Sequence, residues 1–157
     1  MPGYTIAQAA GGAGVEGLGV TLGRLLAALL MDRVFAPLVV LVCFVFGAIG
    51  LVVLVSVPPS AGPIIFLGIF LIGLIAGADG DMAPVLTRRY FGPDAFNRVF
   101  ALMFLFTGIG GMAGPVIFGI LYDRFGSYAT GFYIGAVAVV LSGIAVLFLG
   151  RYRFESH

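Results

Sequence analysis

The chain has no lysine and no tryptophan, a single cysteine and a single histidine, and only 10% of its 157 residues are charged. Each scarcity removes a class of function. A soluble domain of this length needs a charged shell, and eight arginines with seven carboxylates cannot supply one. A net charge of +1 gives no reason to expect nucleic acid as a partner. Cys43 sits alone in an apolar run, so no disulfide is expected and it reads as a small hydrophobe. His157 lies at the end of the sequence, so neither a histidine metal site nor a catalytic triad is expected. There is no HExxH and no His–Ser or His–Cys arrangement, so the chain is not expected to be an enzyme or to hold a cofactor. Met1-Pro2-Gly3-Tyr4 lacks the basic start of a signal peptide, which leaves targeting to the first apolar run.

What the chain has in abundance is apolar sequence: 61% of it is hydrophobic. Five runs, 5–31, 36–57, 62–87, 98–122 and 127–150, each match the length of about 20 helical residues that crosses a ~30 Å hydrocarbon core. An all-α integral membrane protein with five transmembrane helices and a lipid bilayer as its surroundings follows. The separators are turn formers: Ala36-Pro37, Pro58-Pro59-Ser60 with Gly62-Pro63, Gly92-Pro93-Asp94, and Asp123 to Gly126. Such short connections force neighbouring helices to run antiparallel. Arginine collects at alternate ends: Arg33, then Arg88, Arg89 and Arg98, then Arg151 and Arg153 on one side, against Arg124 beside Asp123 on the other. The positive-inside rule places the richer side in the cytoplasm, the N-terminus outside and the C-terminus inside.

Glycines recur at the spacing that lets membrane helices approach closely: Gly19 with Gly23, Gly73 with Gly77, Gly110 with Gly114, and Gly131 with Gly135. These faces point to a compact bundle. Charge within the spans is costly and therefore marks candidate sites. Glu16 falls near the middle of the first span, with Arg24 eight residues on, about 12 Å further along the axis. Asp79 and Asp81 in the third span come to a similar depth. Two readings of Arg24 stand open: an ion pair with Asp79 or Asp81, or a clamp for an anionic substrate. Glu16, Asp79 and Asp81 are candidates for proton coupling; the structural alternative for Glu16 is a hydrogen bond to neighbouring backbone. Gly80 and Pro84 predict a helix kink, because proline has no N–H for the carbonyl of Gly80. Bent helices at membrane depth are where transporters build ion and substrate sites; the structural alternative is a bent helix with its carboxylates near the cytoplasmic mouth.

Two stretches carry a family resemblance. Gly23 to Arg33 (GRLLAALLMDR) resembles the loop signature between helices eight and nine of major facilitator superfamily transporters, approximately G-R-x-x-x-G-x-x-x-D-R, with Ala28 in place of the middle glycine. Gly77 to Gly92 (GADGDMAPVLTRRYFG) resembles helix ten of bacterial monocarboxylate-type members, with Asp79 where glutamate is frequent. Gly114-Pro115, Gly119, Tyr122-Asp123 and Gly126-Ser127-Tyr128 resemble the end of helix eleven.

The resemblance implies that the five spans are helices eight to twelve, most of the C-terminal six-helix bundle of a major facilitator fold. A carboxyl-terminal fragment is then expected, inactive alone and lacking the N-terminal half. It implies secondary active transport of small organic anions of the monocarboxylate kind across the inner (plasma) membrane, by proton symport or exchange with alternating access. Arg24 takes the substrate carboxylate in this scheme. Asp32 and Arg33 form a cytoplasmic gate in it, with Arg88 or Arg89 as the candidate partner of Asp32. The fourth span has no lysine, which makes a dicarboxylate site like that of oxalate–formate exchangers less favoured. The alternative is a small multi-span scaffold whose glycine faces dock other membrane proteins.

Overall fold

The computed structural model describes residues 6–31, 33–58, 61–150 and 152, with side chains from residue 10 onward. Four helices follow one another: α1 Ile6–Met31, α2 Ala36–Ser56, α3 Gly62–Phe125 and α4 Ala129–Leu147. No strand forms among the described residues. All four are long and apolar enough to cross a membrane. Their outward side chains are large and apolar, as at Leu29, Phe106 and Met112, which are 63%, 68% and 79% exposed. Such a surface is stable against lipid and not against water.

Five separate helices are expected from the sequence, and the described residues form four, because the third and fourth runs both belong to α3. At 64 residues α3 would extend about 96 Å if straight, some three bilayer cores. It is not straight. Gly92 has φ 73° and ψ 174°, the only non-helical angles inside the helix. Thr87 and Met103 touch across the break, so the second arm (93–125) folds back beside the end of the first (62–91). Pro93 follows the break, where its missing N–H costs the new arm nothing. Gly80 and Pro84, where the sequence predicts a kink, keep helical angles. The turn is made at Gly92 because only glycine adopts that combination of φ and ψ freely.

Proline also starts the other elements: Pro37 lies in the first turn of α2 and Pro63 in that of α3, and neither helix has a side-chain cap from its N-cap residue. Gly126, at φ 65°, ends α3 in the left-handed conformation, its N–H bonding the Tyr122 carbonyl at 2.8 Å.

Glycine decides the packing. A Cβ on Gly23 would strike the Leu74 carbonyl, and one on Gly77 would strike the Val20 carbonyl. Gly19 and Gly73 meet the backbone of Phe70 and of Glu16 in the same way. The two sequence-predicted pairs therefore form one seam, along which α1 and the first arm of α3 run parallel. On the opposite face of that arm, Gly68 and Ile75 meet Gly50 and Gly47 of the antiparallel α2. Gly143 seats α4 on Leu41 and Phe44 of α2. Phe118 of the second arm reaches α4 at Gly131 and at Phe132, ring centroids 5.5 Å apart. Gly110 and Gly114, although equally well spaced, face open space. The core closes at the Met31 end of the bundle, around Ala27, Met31, Ala36, Val39, Val40, Cys43, Ala78 and Met82.

Candidate functional site

Parallel packing at the glycine seam sets the heights of the charged residues. Glu16 lies opposite Gly73 and Val20 opposite Gly77, so Arg24, one turn beyond Val20, stands level with Asp81, one turn beyond Gly77. All four charged side chains of the two spans, Glu16, Arg24, Asp79 and Asp81, are exposed. Among the described residues, no ion pair joins Arg24 to either aspartate, and Glu16 makes no side-chain hydrogen bond.

Helical geometry explains why equal height gives no pair. Arg24 follows Gly23 by one residue, about 100° round α1, and Asp81 follows Gly77 by four, about 40° round α3. Both rotations have the same sense. In two parallel helices that face one another, rotations of the same sense carry side chains to opposite edges of the seam. Asp79, about 200° from Gly77, lies on the far side of α3 from α1. Arg24 is thus an exposed guanidinium on an apolar helix, with its carboxylate neighbours turned away.

The second group of predicted residues gathers at the Met31 end. Arg89, half-buried, donates through Nη1 to the Met31 carbonyl at 2.8 Å. That carbonyl belongs to the last turn of α1 and has no acceptor duty within the helix, so the guanidinium satisfies it. Of Arg88 and Arg89, Arg89 is the one whose side chain reaches the end of α1 at the α1–α2 turn. Arg88 is exposed and lines a small cavity of about 170 Å³ with Pro93 and Phe96, beside the break in α3. Arg33 is exposed in the turn, its N–H bonded to the Leu30 carbonyl at 3.1 Å. Asp32 lies outside the described residues, as do Arg151, Arg153 and His157.

Residues that sequence reasoning passes over complete this end. Thr87 is buried and places its hydroxyl on the Ala83 carbonyl at 2.7 Å and on Met103 Sδ at 3.2 Å, so the polar group is satisfied at depth. Tyr90 and Tyr152 pack edge to face with centroids 5.4 Å apart, and Arg89 lies 5.3 Å from the centroid of Tyr152. Nothing in the spacing of Tyr152 marks it, since its neighbours come from two distant segments, the start of α2 and the first arm of α3. Among the described residues, no three potential metal ligands cluster.

Residues 3–157 match the family model described as Major Facilitator Superfamily. The chain belongs to the Major Facilitator Superfamily. The superfamily is one of membrane transporters and not of enzymes. Among curated proteins, the chain is similar to monocarboxylate transporter 9 of Pongo abelii, 26% identical over 135 residues, covering 85% of this chain and 26% of the relative. It is also similar to the proteins of the same name from Gallus gallus and Mus musculus, each 29% identical over 77 residues, which are 49% of this chain and 15% of the relative. The chain therefore spans about a quarter or less of the length of these relatives. No solved structure matches it.

Proposed function

We propose that this chain supplies helices eight to twelve of a transporter of small organic anions of the monocarboxylate kind, working by proton symport or exchange with alternating access. The observation that carries this is Arg24: an exposed guanidinium on a membrane helix, with no carboxylate partner among the described residues. A charge at that depth is expensive, and a substrate carboxylate in a water-filled cavity is the group that compensates it. Glu16, Asp79 and Asp81 are the candidate proton carriers, each exposed and none paired with Arg24.

In this reading the fold-back at Gly92 makes α3 two membrane crossings, so the chain crosses five times. The arginine-rich ends then lie together in the cytoplasm, with the N-terminus outside. The open faces of α1 and the second arm, including Gly110 and Gly114, are where further helices dock, an N-terminal half among them. The name of the similar proteins supports the monocarboxylate class, and the absence of a lysine near the fourth run supports it over dicarboxylates. The arginines at the α1–α2 turn serve as the inward gate, with Arg89 the contact to α1.

The test is uptake of a labelled monocarboxylate by cells of a strain without its own carriers, expressing this chain together with a complementing N-terminal half. Arg24→Gln should weaken the apparent affinity for the carboxylate by about ten- to hundredfold at unchanged membrane abundance, and Arg24→Lys should retain part of it. Unchanged uptake in Arg24→Gln would sink the clamp. If uptake is absent in all cases but the chain co-purifies with other membrane proteins, the scaffold alternative holds instead.

A further inference from the structure

The N-terminus of α2 is capped from the other end of the chain. Its N-cap residue, Phe35, has no side-chain oxygen, and Pro37 has no N–H to satisfy. Leu38 and Val39 both bond back to the Phe35 carbonyl, at 2.9 and 3.4 Å. That leaves the N–H of Ala36, a residue with 0% exposure, as a buried donor. It is satisfied by the phenol oxygen of Tyr152 at 2.6 Å, 116 residues away in sequence. A free helix N–H in this setting needs such a partner.

Tyr152 is held in place in turn. Gly150, at φ 72°, follows the end of α4 in the left-handed conformation. Tyr90 of α3 donates its hydroxyl to the Gly150 carbonyl at 2.7 Å. The Tyr152 ring then packs against Phe35 at 5.3 Å and Tyr90 at 5.4 Å, with the Arg89 guanidinium 5.3 Å from its centroid. A cation over an aromatic face is attracted by the ring quadrupole, so the ring helps to fix the arginine that closes α1 at Met31.

We propose that Gly150 and Tyr152 form a strap that holds the α1–α2 turn closed, with Tyr90 as its anchor on α3. The two hydroxyls act in series. Tyr90 holds the tail, and the tail carries the cap to Ala36. Lifting the tail uncovers the Ala36 N–H and removes the aromatic face from Arg89 in one step. Gly150 and Tyr152 therefore position the turn that contains Arg33. This rests on the contacts themselves and holds whether or not the chain carries anions.

Hydrogen exchange on the full chain in lipid nanodiscs tests it. Tyr152→Phe keeps the ring and deletes the acceptor, and should speed exchange in the 33–40 segment by about tenfold, the effect of losing one hydrogen bond. Tyr90→Phe keeps its ring against Tyr152 and loses only the hydroxyl that holds the Gly150 carbonyl, yet should speed the same segment by a few fold. Gly150→Ala, strained at a positive φ, should do likewise through a third route. In all three variants, exchange across the seam at 16–23 and 70–77 should stay at the wild-type rate. Wild-type exchange at 33–40 in Tyr152→Phe would overturn the cap. An effect of Tyr152→Phe without any effect of Tyr90→Phe or Gly150→Ala would reduce it to a local cap and overturn the strap. Faster exchange across all helices would also overturn it, since it would mean general loosening.

Discussion

The hydroxyl of Thr87 lies 3.2 Å from the sulfur of Met103, although sixteen residues of unbroken helix would hold those positions about 24 Å apart. The contact exists because Gly92 turns the two arms of α3 back on one another. That reversal lets the second arm return to meet α4 at Phe118, whereas α1 and α2 pack on the first arm and α4 on α2 without it.

Gly92→Ala places a Cβ at φ 73° and ψ 174°, a region that only glycine occupies freely. The cost should be about 1–3 kcal/mol, read as a lower melting temperature of the detergent-solubilised chain. Pro84→Ala should cost less than Gly92→Ala, because Pro84 already has helical angles and alanine fits them.

The seam is more demanding than its composition suggests. Gly23→Ala and Gly77→Ala each drive a methyl group into a backbone carbonyl that cannot move without shifting its helix. Each should cost about 1–3 kcal/mol, the usual range for overpacking a close contact. Gly110→Ala, with nothing within 4 Å of the new methyl, should leave the melting temperature of this chain unchanged. If Gly110→Ala then impairs the assembly with a complementing half, that face is the docking surface.

Arg24→Gln should leave stability as it is, since among the described residues Arg24 has no intrachain partner to lose. Its effect should fall on anion affinity instead. A charged hydrogen bond of about 1.5–3 kcal/mol corresponds to a loss of roughly ten- to hundredfold in apparent affinity for the carboxylate. Isotope uptake against substrate concentration measures it.

Arg88 and Arg89 are adjacent and chemically identical, yet should behave differently. Arg89→Gln removes the donor to the Met31 carbonyl and the cation beside Tyr152, and should cost about 1–3 kcal/mol. Arg88→Gln, at an exposed position, should change the melting temperature by the equivalent of less than about 0.5 kcal/mol. Equal losses for the two would show that the closure of α1 at Met31 is not what holds that end together.

The sequence by itself determined where helix forms and what surrounds it. Apolar runs of bilayer length, set off by Pro37, Pro63 and Gly126, leave little choice of element, because backbone groups in hydrocarbon must bond within their own helix. It also marked the glycine pairs, since spacing on one helix face is a local property. Which pair meets which is not local. Gly19 and Gly23 find Gly73 and Gly77, while Gly110 and Gly114 find nothing, although the three pairs share the same spacing. Only the tertiary structure decided that Arg24 and Asp81, level in height, stand on opposite edges of the seam, because pairing depends on rotation about the axis as well as on depth. It alone chose Arg89 over Arg88, and it alone brought Tyr152 to Ala36 across 116 residues, where a buried N–H required an oxygen that its own segment lacked.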